Sequence, residues 1–366
     1  MNGKVKKILF VATEYGSGMV PFASSIINTL SNQNVVNVFA VVVEDSNLQY
    51  RKTIKMNENT TFIQYPTAKS IKLLYKIYPW KIIDCIKRLN QEYDFDIIHF
   101  LTGEFSLALW LAVSCIDKNR LFYTVHDLKP HETKKSFFPG LFDKYINTCN
   151  ILMRNLAKNL TTSSLHQFNI LKNMYPHKNV NFTHFPTLIT KNIINGMNKV
   201  KELEGINDYI LFFGNVDIYK GVDILIEAYL KSKLSLTNRL VIAGKGLQLI
   251  KDDNQIIRIN RYIKDEEIKD LFVKSKLVVF PYISATMSGV LSLAFFFEKK
   301  IVLSDVPFFL EYRTSNTVFF NCGDVEKLRI SMENAIQTNP IKEDSYNKFY
   351  SERQLLNEYL ALYSHL

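Results

Sequence analysis

Cysteine is sparse in this chain: four residues in 366, Cys85, Cys115, Cys149 and Cys322, and no CxxC pair among them. That excludes a disulfide framework or a cysteine zinc site as the organising device, and it fits a reducing compartment. Long apolar runs are missing too. None reaches the roughly 20 residues that cross a bilayer, and a mean hydropathy of -0.04 excludes a polytopic membrane protein. There is no short internal repeat. No basic stretch is long or arginine-rich enough to favour nucleic acid, because lysine supplies most of the positive charge and suits diffuse attraction better than bidentate readout.

What is present points to a large, basic, well-packed protein. A chain of 366 residues is comfortable as two domains, and 47% apolar content supports real cores. A net charge of +10 favours anionic partners such as nucleotides or phospholipid headgroups. The opening Lys4-Val5-Lys6-Lys7 followed by Ile8-Leu9-Phe10-Val11-Ala12 has the charge order of a signal peptide. Its apolar core is too short, and Glu14 follows without a cleavage-like site, so it reads as a first buried strand.

Short apolar strands alternate with helices from there on. Strands are expected at 7–12, 35–43, 96–101, 121–125 and 160–163, with helices at 21–30, 71–89, 106–116 and 142–158. The polar stretch 189–207 reads as a linker or loose crossover. A second set follows. Its strands fall at 209–213, 239–243, 256–259, 277–280, 301–303 and 318–320, and its helices at 222–231, 265–274, 288–297, 325–338 and 342–366. The alternation implies parallel α/β sheets in two Rossmann-type halves, with ligands meeting loops at the carboxyl ends of the strands in a cleft between them.

The loops after the strands carry the candidate chemistry. The run Pro281 to Ala294 contains a strand end, a small-residue loop and a helix opening at Ser288-Gly289. The free N–H groups and positive dipole of such a helix start suit a phosphate, and Gly289 would let a ligand approach the backbone. The bland reading is an ordinary turn between strand and helix. Phe213-Gly214-Asn215 to Lys220-Gly221 follows the first strand of the second half, and its lysine is a plausible phosphate clamp. Thr124-Val125-His126-Asp127 ends a buried strand. The His126 imidazole could donate to a phosphate or sugar hydroxyl, or simply cap a loop. Gly16 and Gly18 give a GxG start after the first strand. Pro21 occupies the place of the third glycine, so a flexible substrate-facing loop is expected rather than a dinucleotide site, even with Glu44 near the usual ribose acid position. Asp94-Phe95-Asp96 has a metal-nucleotide spacing but precedes its strand, so it reads as a solvated strand entry. Phe137, Phe138 and Phe142, flanked by Lys134, Lys135 and Lys144, form a basic–aromatic patch. It would either dock on a membrane or cover its own core.

Taken in order, Gly214…Lys220-Gly221-Val222-Asp223, Val241 to Gly246, Tyr262-Ile263…Asp265-Glu266-Glu267 and Pro281…Ser288-Gly289-Val290 resemble the C-terminal half of retaining GT-B glycosyltransferases of the family 4 type. The resemblance implies a GT-B fold: an N-terminal Rossmann-like acceptor domain over 1–190, a linker over 191–208 and a nucleotide-sugar donor domain over 209–344. The C-terminal helix, about 345–366, would pack back on the first domain. It further implies that Lys220 contacts donor phosphate and that the backbone of Ser288, Gly289 and Val290 cradles it. Arg261, Tyr262 and Ile263 would bracket the base. His126 would approach the sugar or its phosphate, and Gly16 and Gly18 would face the diphosphate and acceptor. The family's usual arginine is here Asn215, and its glutamate pair aligns with Thr286 and Ala294. The first glutamate commonly contacts the donor sugar and the second holds ribose; threonine keeps a hydrogen bond and alanine keeps none. A Thr-x-Ser-Gly version is similar to a subgroup making surface polysaccharides.

The implied activity is transfer of a sugar, with retention, from a nucleotide diphosphate-sugar to a glycan or lipid-linked acceptor. No metal or other cofactor, and no nucleic acid, is expected. The expected location is the cytoplasm, including a peripheral position on the inner face of the plasma membrane. A non-catalytic GT-B relative that binds nucleotide or glycan in an assembly is the alternative.

Overall fold

The computed structural model describes residues 5–14, 18–45, 49–56, 58–66, 68–128, 140–246 and 253–364. The described residues form two compact units. The first takes those up to Pro186 together with those from Glu352 onward; the second takes those from Thr187 to Ser351.

The first unit holds a seven-stranded parallel sheet: β1 (Lys6–Ala12), β2 (Val36–Glu44), β3 (Thr60–Gln64), β4 (Ile97–Phe100), β5 (Leu121–Thr124), β6 (Asn159–Thr162) and β7 (Asn179–Phe182). Their order is β3-β2-β1-β4-β5-β6-β7. The central strands are apolar without alternation because helices cover both faces, and Ile8 to Ala12 are wholly buried. β3 and β7 are not expected from the sequence. They lie at the two edges, where half-burial lets Thr-Thr-Phe-Ile-Gln and Asn-Val-Asn-Phe serve as strands.

The second unit holds a six-stranded parallel sheet: β8 (Tyr209–Phe213), β9 (Leu240–Ala243), β10 (Ile256–Ile259), β11 (Ser275–Phe280), β12 (Lys300–Ser304) and β13 (Thr317–Phe320). Its order is β10-β9-β8-β11-β12-β13. In both sheets the chain runs outward one way from the first strand, then returns to pair with that strand on its other side. The junctions β1/β4 and β8/β11 are therefore topological switch points, where ligands of open α/β sheets bind.

Two expected helices are each divided. The segment 71–89 forms Lys69–Ile77 and Trp80–Tyr93, because Pro79 lacks an N–H and pushes Tyr78 into an extended conformation with ψ 91°. The C-terminal segment forms Ser345–Tyr350 and Glu352–Ser364, parted at Ser351. The first piece packs Phe349 and Tyr350 on Phe295 in the second unit. The second returns to the first unit, where the Tyr363 hydroxyl lies 2.6 Å from His99 Nδ1. His99 is wholly buried, and burial lowers its pKa to about 3, so it is a neutral structural group. The stretch expected to be a loose linker is packed: Ile193, Val200 and Leu203 join the second core, and Lys191–Ile194 is helical.

Candidate functional site

At the β8/β11 switch point the second unit builds a small polar cradle. Asp217 accepts a hydrogen bond from Ile218 N at 2.7 Å and starts a tight turn over Ile218–Lys220. Gly221 then takes φ +59°, and a Cβ there would lie 2.1 Å from the Pro281 carbonyl oxygen. Glycine is thus required for the loop after β8 to sit against the loop after β11. The result is a lysine bent back over the sheet end. Lys220 is only 8% exposed, and its Nζ lies 3.2 Å from the Cβ position of Gly214. The rings of Tyr282 and Tyr219 stand 5.4 Å and 5.8 Å from that ammonium, where their faces favour a cation. Among the described residues no carboxylate pairs with it. Burial lowers its pKa, against the opposing influence of Tyr219 and Asp217. A nearly buried ammonium without a counter-ion is costly unless an anion joins it.

The helix start lies alongside. Val290 Cγ2 stands 3.7 Å from the same Gly214 Cβ position, so Lys220, Gly214 and Val290 converge. The helix runs over Val290–Phe296, two residues later than expected. Its first internal acceptors, Ser288 O and Gly289 O, receive Leu291 N and Ser292 N, which leaves the N–H groups of Gly289 and Val290 without acceptors among the described residues. Ser288 is buried, with its hydroxyl on Tyr282. Gly289 has a different reason from the expected one. A Cβ there would meet the Leu188 side chain at 2.7 Å, so the missing side chain makes room for the chain's own leucine rather than for a ligand. Thr286 is half-buried, and Asn215 is exposed. Ala294 is wholly buried in the second core.

The loop after β10 is braced rather than open. Arg261 donates from Nε and Nη2 to Glu202 at 2.7 Å and 3.0 Å, and from Nη1 and Nη2 to Glu267 at 2.9 Å and 2.7 Å. Its remaining donor reaches the Tyr262 carbonyl oxygen. All five guanidinium N–H groups are spent, so the side chain anchors the loop and has none left for a base. Ile263 is buried in the core, whereas Tyr262 is 65% exposed, so of these three side chains only the tyrosine is presented.

In the first unit His126 follows β5. Its Nε2 donates to the Leu101 carbonyl oxygen at 2.7 Å, its ring packs edge-on to Phe22, and Gln167 holds its backbone carbonyl at 2.7 Å. Burial lowers its pKa. In that neutral tautomer Nδ1 carries no proton, so neither ring nitrogen is left to make the expected donation to a phosphate. Gly18 precedes the helix Met19–Ser31 with φ -90°, and no atom lies within 4 Å of its Cβ position. Gly16 lies outside the described residues, as do Lys134, Lys135, Phe137 and Phe138 of the basic–aromatic patch. Phe142 packs on Phe105 and Tyr145, covering its own core, while Leu141 beside it is 89% exposed. Asp94 pairs with Arg120 at 2.7 Å and Asp96 accepts Lys7 N at 2.9 Å, both at the entry of β4. Glu44 is buried on the Arg51 backbone N–H. Among the described residues no three His, Cys, Asp or Glu side chains are placed to hold a metal.

Sequence reading misses Tyr282, whose ring backs the ammonium. It also misses Glu14, Glu104 and Tyr75, which the fold gathers in the first unit. The available signal is position: Glu14 and Glu104 follow β1 and β4, the switch-point pair.

Residues 207–338 match the family model described as Glycosyl transferases group 1. The match falls on the residues that carry the ordered motifs and bears out, over that stretch, the resemblance to group 1 glycosyltransferases. Solved structures match over nearly the whole chain. Anabaena HepE in complex with UDP is 14% identical with a TM-score of 0.70, covering 98% of this chain and 100% of its own. WaaG, a glycosyltransferase involved in lipopolysaccharide biosynthesis, is 13% identical with a TM-score of 0.62, covering 98% and 99%. UDP-GlcNAc 2-epimerase from Methanocaldococcus jannaschii is 11% identical with a TM-score of 0.60, covering 97% and 99%. The fold is GT-B, with two Rossmann-like domains. The epimerase shows that this fold carries more than one chemistry. No curated protein matches.

Proposed function

We propose that the protein is a retaining, metal-independent glycosyltransferase that moves a sugar from a nucleotide diphosphate-sugar to a glycan or lipid-linked acceptor, in the making of a bacterial surface polysaccharide. The observation that carries the reading is Lys220: nearly buried, unpaired among the described residues, and set beside the unbonded N–H groups of Gly289 and Val290. The family match over 207–338 supports transfer chemistry, and UDP bound to a structure of similar fold supports the donor class. WaaG's role in lipopolysaccharide biosynthesis supports the surface-glycan assignment.

In this reading the leaving diphosphate develops negative charge, and Lys220 with the two N–H groups stabilises it electrostatically. The acceptor hydroxyl attacks on the face the diphosphate leaves, giving its proton to the departing phosphate oxygen. No enzymatic nucleophile is assigned. His126 approaches the donor sugar from the end of β5. Tyr262 flanks the base, held in place by the Arg261 brace. The exposed Leu141, with Lys76 Nζ 5.3 Å from the ring of neighbouring Phe142, supports a peripheral membrane location on anionic lipid.

A thermal-shift screen of UDP, GDP, ADP and their sugars is the direct test, because a ligand of the folded state raises Tm by mass action. The expected result is stabilisation by one nucleotide family, followed by turnover of its sugar in EDTA with an anomerically retained product by NMR. Loss of turnover in EDTA restored by Mn²⁺, or an inverted product, overturns those parts of the reading. The buried Ala294, in the place where the resembled family holds ribose, favours a second reading: a relative that binds nucleotide without turnover. Stabilisation by a nucleotide with no transfer from any donor would select it.

A further inference from the structure

Lys220 poses a physical problem that its own loop does not solve. Its ammonium is nearly buried, and among the described residues no carboxylate neutralises it. Asp217, an acid that favours its charge, is occupied at the Ile218 N–H at 2.7 Å and forms no ion pair with it. Something else must keep the ammonium charged and in place before any anion arrives. The group standing there is Tyr282, whose ring centre lies 5.4 Å from Nζ.

Tyr282 is itself held from several sides. It follows β11 and is 2% exposed. Its carbonyl oxygen accepts the Ser304 hydroxyl at 2.6 Å, at the end of β12, and the next residue ties the loop to the one after β8 through Ile283 N and the Tyr219 carbonyl oxygen at 2.8 Å. Phe309 and Phe280 pack on its ring at 5.2 Å and 5.9 Å, and Tyr219 meets it edge-on at 6.2 Å. Packing between two phenylalanines explains a ring at this position but not a hydroxyl. The hydroxyl has its own task. The Ser288 hydroxyl hydrogen-bonds it, easing an ionisation that burial pushes up to about 12. Ser288 directly precedes Gly289 and Val290, whose N–H groups have no acceptors among the described residues.

One side chain therefore touches both halves of the cradle, the ammonium by its ring and the helix start by its oxygen. A carboxylate in its place would cancel the positive charge and repel an incoming anion. A ring face stabilises the cation and leaves its whole charge for the ligand. We propose that Tyr282 is the positioning residue of the phosphate cradle: its face holds the Lys220 ammonium and its hydroxyl pins Ser288, so the two anion-binding elements keep one spacing before the ligand arrives. Such preorganisation lowers the ordering cost that binding would otherwise carry. The inference rests on the nucleotide-sugar reading for the identity of the anion and adds the group that organises its site.

The test measures binding of UDP and inorganic pyrophosphate to the full chain by calorimetry, for Tyr282→Leu, Tyr282→Phe and Ser288→Ala, with Lys220 and with Lys220→Met. Tyr282→Leu should weaken both ligands about tenfold when Lys220 is present, and UDP by no more than about twofold in Lys220→Met, because the ring acts through the ammonium. A merely structural role predicts the same loss in both backgrounds. The lower Tm expected of any core truncation does not discriminate between the two roles, whereas this coupling does. Tyr282→Phe keeps the face and should lose only about two- to threefold. Ser288→Ala should match it, and the double variant should lose no more, since both changes remove one bond. These two variants carry the test if Tyr282→Leu does not fold. Equal losses from Tyr282→Leu in both backgrounds, unchanged affinity in it, or additive losses from Tyr282→Phe and Ser288→Ala would overturn the proposal while wild-type binding left the donor reading standing. Failure of wild type to bind either ligand would remove the donor reading itself, and this inference with it.

Discussion

The two sheets share the same strand order around their centres, yet their switch points are charged oppositely. After β1 and β4 the first unit places two carboxyl groups, Glu14 and Glu104, both with pKa pushed up to about 7 by burial. After β8 and β11 the second unit places the Lys220 ammonium, whose pKa burial pushes down. One topology therefore prepares two different sites. A buried acid can relieve its desolvation by holding a proton, and it then offers hydrogen bonds to a neutral partner. A buried ammonium with tyrosine faces behind it is best relieved by an anion.

The comparison can be broken most forcefully in the second unit. Ala294 is wholly buried, so Ala294→Glu crowds a packed helix and buries an unpaired carboxylate. A loss of about 3–5 kcal/mol is expected, with weaker nucleotide binding, read by denaturant unfolding and calorimetry. Tighter nucleotide binding would mean that the pocket has kept a place for the glutamate. Next in size, Lys220→Ala should weaken UDP binding by one to two orders of magnitude, as loss of a charge-assisted contact worth about 1.5–3 kcal/mol requires. Lys220→Met should leave the ligand-free Tm unchanged or higher, since it removes a buried charge that lacks a partner. A lower Tm would show that the ammonium is structural.

The acids give a third, smaller effect with a definite sign. Glu14 and Glu104 keep protons in the fold that the unfolded chain, with ordinary carboxyls near 4.5, releases. Their contribution to stability is complete below about 4.5 and is lost as pH rises through about 7. Glu104 and Asp127 are the charges that raise Glu14 beyond burial alone. Glu14→Gln should therefore gain on wild type between pH 5 and 7 by on the order of 1–3 kcal/mol, in urea unfolding at a series of pH values. A parallel pair of curves would place Glu14 in solvent. The smallest effect is expected at Asn215, which is exposed and stands where the resembled family has arginine. Asn215→Arg should tighten UDP binding a few-fold without moving Tm, because an exposed charge near phosphate is partly screened. No gain in affinity would place the side chain away from the diphosphate.

The sequence by itself determines the buried strands and the order of motifs in the second half. β8 stands where the apolar run at 209–213 places it, because a strand covered on both faces must be apolar throughout. It also places Lys220 and Gly221 after a strand, where a clamp would have to lie. What only the tertiary structure decides is which side chains are spent and which are left over. Arg261 looks available until Glu202, 59 positions away, takes two of its five donors. His126 looks like a phosphate donor until the Leu101 carbonyl claims its proton. Gly289 looks like an opening for a ligand until Leu188 fills it. The edge strands β3 and β7 are hidden for a related reason, since half-burial leaves no continuous apolar run to detect. Local sequence fixes backbone preference and burial pattern. The partners that satisfy or orphan a polar group come from distant parts of the chain, and folding alone brings them within hydrogen-bond range.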